Sequence, residues 1–161
     1  MRKCFIAIGI FFSAITTHAQ NIKSIKATDL EKTIKESKGP MIISMWATWC
    51  KPCIGEIPYF IEEVKNHASD SIQILLVSLD FKEAFPKEIA AFAKKRNFDA
   101  PIAWLNETDA DYFCPKLDPK WSGAIPATLF INNKTGYRNF FEEQLSHEKL
   151  KLEIMAMLEI H

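Results

Sequence analysis

Cysteine is scarce in this 161-residue chain, which has four in all. Secreted proteins held by disulfides carry a dense, even set, and Cys4, Cys50, Cys53 and Cys114 are too few and too unevenly placed for that. Excess charge of either sign is also lacking, since 20 Lys and Arg balance 20 Asp and Glu. A nucleic-acid partner calls for a basic patch. Here Lys and Arg are scattered, and solvation of a helix end accounts for the Lys94-Lys95-Arg96 cluster, so no nucleic acid is expected. Internal repeats, low-complexity tracts and linker-like stretches are missing too, which points to one domain. With 48% apolar and 25% charged residues, the composition is that of an ordinary globular protein.

Long hydrophobic runs are absent except near the start, where residues 5–15 are apolar, preceded by Arg2 and Lys3 and followed by a polar stretch with small Thr17 and Ala19. That order predicts a secretory signal peptide over residues 1–19, cut after Ala19. The alternative is a retained membrane anchor, but a spanning helix needs ~20 apolar residues and the run is shorter. Cys4 precedes the apolar run, so no lipid-bearing first residue is implied. Cleavage takes Arg2 and Lys3 and no acid, leaving residues 20–161 slightly acidic with three cysteines. A domain of that size can bury enough core to fold without staples. The close pair Cys50 and Cys53 therefore needs another reason to exist.

Residues 28–38 read as a helix, opened by the capping-box pattern Thr28-x-x-Glu31 and closed by Gly39-Pro40. Residues 41–46 form a short apolar run that suits a strand buried on both faces. A helix over residues 50–67 carries Ile57, Phe60, Ile61 and Val64 as an inward stripe. The β-branched run at residues 71–79 predicts a second strand, parallel to the first through that helix. Pro86 can open a helix to about residue 97, with Ile89, Phe92 and Ala93 inward. Residues 98–124 are interrupted by Pro101, Pro115, Pro119 and Gly123 and read as a loop-rich insertion. A third strand over residues 127–131 and a fourth over 137–141 are joined by a tight turn, hence antiparallel. Ser146 caps a last helix with Leu150, Ile154, Met157 and Leu158 inward. The fold class is α/β, with a central mixed sheet of at least four strands flanked by helices.

The chemistry is concentrated in Trp46-Ala47-Thr48-Trp49-Cys50-Lys51-Pro52-Cys53, where a buried strand hands over to a helix. Two cysteines at this spacing can close a disulfide across one turn while the first sulfur stays exposed. The helix dipole and the unpaired N–H groups of the first turn favour a thiolate there, and the thiolate is the species that attacks disulfides. Lys51 adds a cation, and Pro52 suits a first helical turn, where its missing N–H costs nothing. A Cys-x-x-Cys pair is also half of a zinc site. Only Cys114 and the isolated His67, His147 and His161 remain to complete one, so no metal is expected. A permanent structural staple is the other alternative.

Together, Trp46-Ala-x-Trp49-Cys50-x-x-Cys53, Pro58 and Ile125-Pro126-Ala127-Thr128 resemble the thioredoxin superfamily over roughly residues 24–160. Within it, Cys50-x-Pro52-Cys53-x-x-Glu56-x-Pro58 and the segment before Pro126 look most like the exported TlpA-like and ResA-like disulfide reductases. The resemblance implies a thioredoxin-like fold with an insertion before a cis-proline strand, and a protein-disulfide reductase in which Cys50 attacks and Cys53 resolves. It implies that Trp49, Ile125 and cis-Pro126 meet the substrate polypeptide, with Lys51 and Pro52 modulating the pair. Protein disulfides or thiols are the implied partners, with a membrane-bound electron donor. No cofactor is expected beyond the redox-active Cys50-Cys53 disulfide, and a monomer is expected. A disulfide oxidase or isomerase, and a non-catalytic or copper-handling binding module, stay open as alternatives.

One departure stands out. Thioredoxin proper has a buried carboxylate where this chain has Ser44. Glu56 matches a Glu of the ResA-like relatives and shares a helix face with Cys53. It reads either as a proton acceptor for Cys53 or as a first-turn acid that favours the helix dipole. Cys114 carries no motif and reads as a buried inert thiol. Trp104, Phe113 and Trp121 read as anchors of the insertion to the core.

Overall fold

The computed structural model describes residues 21–159; the expected signal peptide lies outside them. The chain runs through strand β1 (Lys23–Ile25), helix α1 (Ala27–Glu36), β2 (Pro40–Trp46), α2 (Lys51–Asn66), β3 (Gln73–Ser78), α3 (Lys87–Arg96), β4 (Ile102–Leu105), α4 (Ala110–Leu117), β5 (Ala127–Asn132), β6 (Tyr137–Phe141) and α5 (His147–Leu158). The six strands form one sheet in the order β1-β4-β3-β2-β5-β6. β1, β4, β3 and β2 are mutually parallel, while β5 pairs antiparallel with both β2 and β6. The expected parallel β2-α2-β3 unit and the antiparallel β5-β6 hairpin are both present. Gly136 supplies a positive φ of 75° in the hairpin turn, a conformation that favours glycine.

Alternation along the central strands explains the layering. Met41, Ile43, Met45, Leu129 and Ile131 point to one face, where Leu30 and Ile34 of α1 and Phe113 and Leu117 of α4 cover them. Ile42, Trp46, Leu76 and Phe130 point to the other, beneath Ile57 and Phe60 of α2, Ile89 of α3, and Leu150, Ile154 and Met157 of α5. Both faces of β2 and β5 are dry, so their sequences read as continuous apolar runs.

Two expectations need correction. Residues 98–124 are not irregular, because β4 and α4 lie within them. Pro101 immediately precedes β4, and its carbonyl still accepts the Leu76 N–H at 2.9 Å. Pro115 falls late in α4, where only one helical hydrogen bond is lost, and Asp109 caps the start of that helix by accepting from the Tyr112 N–H at 3.2 Å. The helix α1 begins one residue before the expected Thr28 cap. There Asp29 accepts the Lys26 N–H at 2.9 Å and Glu107 accepts that of Ala27 at 3.2 Å, while Glu31 is held by Lys35. The sheet also contains β1, which the sequence reading did not foresee and which pairs with β4, so its six strands satisfy the expected minimum of four.

Candidate active site

The 7 residues of β2, all buried, deliver the chain to Ala47 at the carboxyl edge of the sheet, and α2 departs from there. Cys50 is the N-cap of α2, with extended backbone, and its Sγ accepts from the Cys53 N–H at 3.3 Å. Cys50 and Cys53 are joined in a disulfide, their Cα atoms 5.3 Å apart. Cys53 is fully enclosed, and Cys50 keeps only 4% of its surface. The first sulfur is thus less open in the disulfide form than the spacing alone suggests, because Trp46, Ala47, Ile57 and Ile125 close around the pair. Lys51 and Pro52 fill the first exposed turn. The Ile125–Pro126 peptide bond is cis, as the resemblance implied, and Ile125 packs against the cluster that holds both cysteines. A second cis bond, Phe85–Pro86, had no sequence signal.

Glu56 lies one helical turn beyond Cys53 and is 1% exposed. Burial raises its pKa to about 7, against the opposing effect of the Leu145 N–H, which donates to Oε2 at 2.8 Å. The other oxygen, Oε1, has no hydrogen-bond partner among the described residues. A surface acid that merely complements a helix dipole would be solvated, so burial removes that reading. On the same face of the sheet, Ser44 sits in register with Thr128, and both hydroxyls are buried without partners among the described residues. The position that holds a carboxylate in thioredoxin proper therefore offers only a hydroxyl here, and the titratable group comes from α2.

The sequence reading missed Asp80. This buried carboxylate, just past the end of β3, accepts the Thr48 N–H at 3.0 and 3.1 Å, the Thr48 hydroxyl at 2.6 Å and the Ser78 hydroxyl at 2.8 Å. Its backbone carbonyl accepts the Trp104 indole N–H at 2.8 Å. It ties the loop before Cys50 to the neighbouring parallel strand. An acid at the carboxyl end of a buried parallel strand was the available signal, since sites of open α/β sheets gather there.

The remaining candidates lie apart from this centre. Cys114 is a free, buried thiol whose pKa is pushed up to about 11, chiefly by burial and then by Glu142 and Asp111. Replacing Cys114 with Ala is expected to cost about 1–2 kcal/mol for the lost packing and to leave turnover unchanged; urea unfolding and an insulin-reduction assay check both. Trp121 is buried against Phe113, with ring centroids 5.5 Å apart, and donates its indole N–H to Ala124, so these aromatics anchor the insertion. Glu62, Glu63 and His147 place ligand atoms within 4.8 Å of one another. Burial pushes the Glu63 carboxyl up, but His147, Lys151 and Asn66 outweigh it and hold the pKa below its ordinary value; Glu63 is ion-paired with His147 and Lys151.

Comparison with known proteins gives a consistent picture. The family model described as "AhpC/TSA family" matches residues 12–136. The chain is 32% identical to the thioredoxin-like protein YneN of Bacillus subtilis over 49% of its own length and 47% of the relative's. It is 28% identical to the thiol-disulfide oxidoreductase ResA of the same organism over 70% and 54%, respectively. The chain thus spans about half the length of the curated relatives it matches. Among solved structures, a thioredoxin-related protein from Neisseria meningitidis serogroup B superposes with a TM-score of 0.64 at 24% identity, over 77% of this chain and 89% of that one. The fold is thioredoxin-like.

Proposed function

The chain belongs to the AhpC/TSA family, and from that premise we propose that it is a thiol-disulfide oxidoreductase that reduces protein disulfides outside the cytoplasm through Cys50 and Cys53. The observation that carries the reading is the closed disulfide at the mouth of α2, with Cys53 fully enclosed and Cys50, the helix N-cap, 4% exposed.

In the reduced protein the Cys53 N–H and the open end of α2 stabilise Cys50 as a thiolate, helped by Lys51. The thiolate attacks one sulfur of a client disulfide; a mixed disulfide forms, and the other client sulfur leaves as a thiolate. Cys53 then attacks Cys50 Sγ, the Cys50–Cys53 bond closes, and the second client sulfur departs. Two electrons pass to the client, and the proton of Cys53 goes to Glu56 Oε1, the buried carboxylate oxygen with capacity to spare. Trp49, the Ile125 backbone and Pro126 border the pair and present the client chain. The Cys50–Cys53 disulfide is the only redox group this cycle requires. A membrane-bound donor re-reduces it, residues 1–19 export the chain, and it works as a monomer.

The test is direct. The protein is expected to accelerate the reduction of insulin by dithiothreitol, and its potential is expected nearer the ~ −270 mV of thioredoxin than the ~ −120 mV of a strong oxidant. No acceleration would sink the reading; a potential near the oxidant value would reverse the direction of electron flow.

A further inference from the structure

Two large aromatic side chains beside the disulfide are left uncovered. Trp49 is 59% exposed and Phe81 is 73% exposed, and their rings stack with centroids 6.5 Å apart at 25°. They come from different parts of the chain, the turn before α2 and the loop after β3. What brings them together is buried and polar, because Thr48 and Asp80, the residues immediately before each ring, are joined by the bonds described above. The carboxylate of Asp80 takes both donors of Thr48, and its carbonyl is fixed by Trp104. Phe81 is thus carried on a rigid support while its ring lies in water. Exposed apolar surface costs solvation free energy, and a stacked pair held on such a support is organised in advance for a guest.

The reactive disulfide indicates which guest that is. Cys50 is 4% exposed in the disulfide form, so the residues flanking a client sulfur bonded to it lie along the rim, where Trp49, Phe81 and Ile125 offer apolar surface. We propose that Phe81, supported by the Thr48–Asp80 clamp, is a specificity-determining residue that with Trp49 seats an aromatic or large apolar side chain next to the client cysteine. The preferred substrate is then an unfolded or extended polypeptide disulfide with such a neighbour, not a small hydrophilic disulfide. This proposal rests on the dithiol reading above and deepens it. The chemistry is unchanged: the Cys50 thiolate breaks the client S–S bond, Cys53 closes the ring, and the client leaves as two thiols with the two electrons of the protein dithiol.

The experiment uses the full chain, reduced and freed of reductant, with two symmetrical peptide disulfides that differ only in carrying Phe or Ser beside the cysteine. The wild-type protein is expected to reduce the Phe peptide about 5-fold faster than the Ser peptide, the range set by a single aromatic contact. In Phe81→Ser the ratio is expected to fall below about 2, and in Phe81→Tyr to stay near the wild-type value. Each ratio is taken within one protein, so altered activity or stability of a variant cancels. Equal rates for the two peptides in the wild type, or a ratio untouched by Phe81→Ser, would overturn the proposal. Hydroxyethyl disulfide, which has no side chain to seat, separates the two levels: a wild-type dithiol that reduces neither peptide nor this compound defeats the underlying oxidoreductase reading instead.

Discussion

Replacing Cys53 with Ala is expected to convert the protein from a turnover catalyst into a trap, with client proteins accumulating on Cys50 as mixed disulfides. The two sulfurs differ in what they can reach. Cys50 stands at the N-terminus of α2, where the dipole and the Cys53 N–H favour its anion. Cys53 is fully buried, so it meets a client only through Cys50, at the 5.3 Å Cα separation of the pair. Without it the mixed disulfide has no internal route to release, and insulin reduction is expected to fall by at least ~10³-fold, as for loss of any member of a catalytic unit. The Cys53→Ala change keeps the Cβ and leaves a small void, so the loss of stability is expected to be about 1 kcal/mol. Cys50→Ser should lose turnover to the same extent while forming no adducts. Gels of the protein recovered from cells, run with and without dithiothreitol, distinguish the two variants. Adducts on the Cys50→Ser protein would mean that the buried sulfur attacks first and that the assigned roles are reversed.

The sequence displayed this centre unevenly, and the reasons are physical. The β2-α2-β3 unit was legible because residues 41–46 are apolar on both faces and α2 keeps a three-four stripe. The Cys50–Cys53 pair was legible because two cysteines in a chain otherwise poor in them, at the start of that helix, serve few other purposes. Glu56 was legible by spacing but ambiguous in role: its burial depends on Leu145, 89 positions away, which no local pattern reports. Asp80 carried only the signal of its place at the end of a buried parallel strand, and Phe81 carried none. Their meaning comes from the parallel pairing of β2 with β3, which sets the ends of the two strands side by side and lets a loop acid hold the turn before Cys50. The elements β4 and α4 were hidden by prolines that fall where a proline costs little.

The buried carboxylate of Glu56 leads to a pH dependence that tests its role as acceptor of the Cys53 proton. An acid whose pKa is about 7 when folded, against an ordinary value near 4.5 when unfolded, binds more protons in the folded state. Folded stability is therefore unaffected below about pH 4.5, declines as the pH rises toward 7, and levels off above it. At about 1.4 kcal/mol per pKa unit, the loss across this window of roughly 2.5 units is of order 3–4 kcal/mol. Glu56→Gln removes that titration while its side-chain carbonyl can still accept from the Leu145 N–H. The variant is expected to match the wild type at pH 4.5 and to exceed its melting temperature by several degrees at pH 8. Catalysis should move the opposite way. A carboxylate that takes the Cys53 proton works only when ionised, so wild-type release of the mixed disulfide is expected to rise between about pH 6 and 8. The Gln variant should be slower by about 10²-fold at pH 8, the usual worth of a positioned base, with that limb of the profile flattened. Stopped-flow measurement of client release at pH 6, 7 and 8 checks the kinetics, and calorimetry at pH 4.5 and 8 checks the stability. A variant that is more stable at high pH yet releases client at the wild-type rate would show that Glu56 is buried for packing alone, leaving the proton of Cys53 to pass directly to solvent.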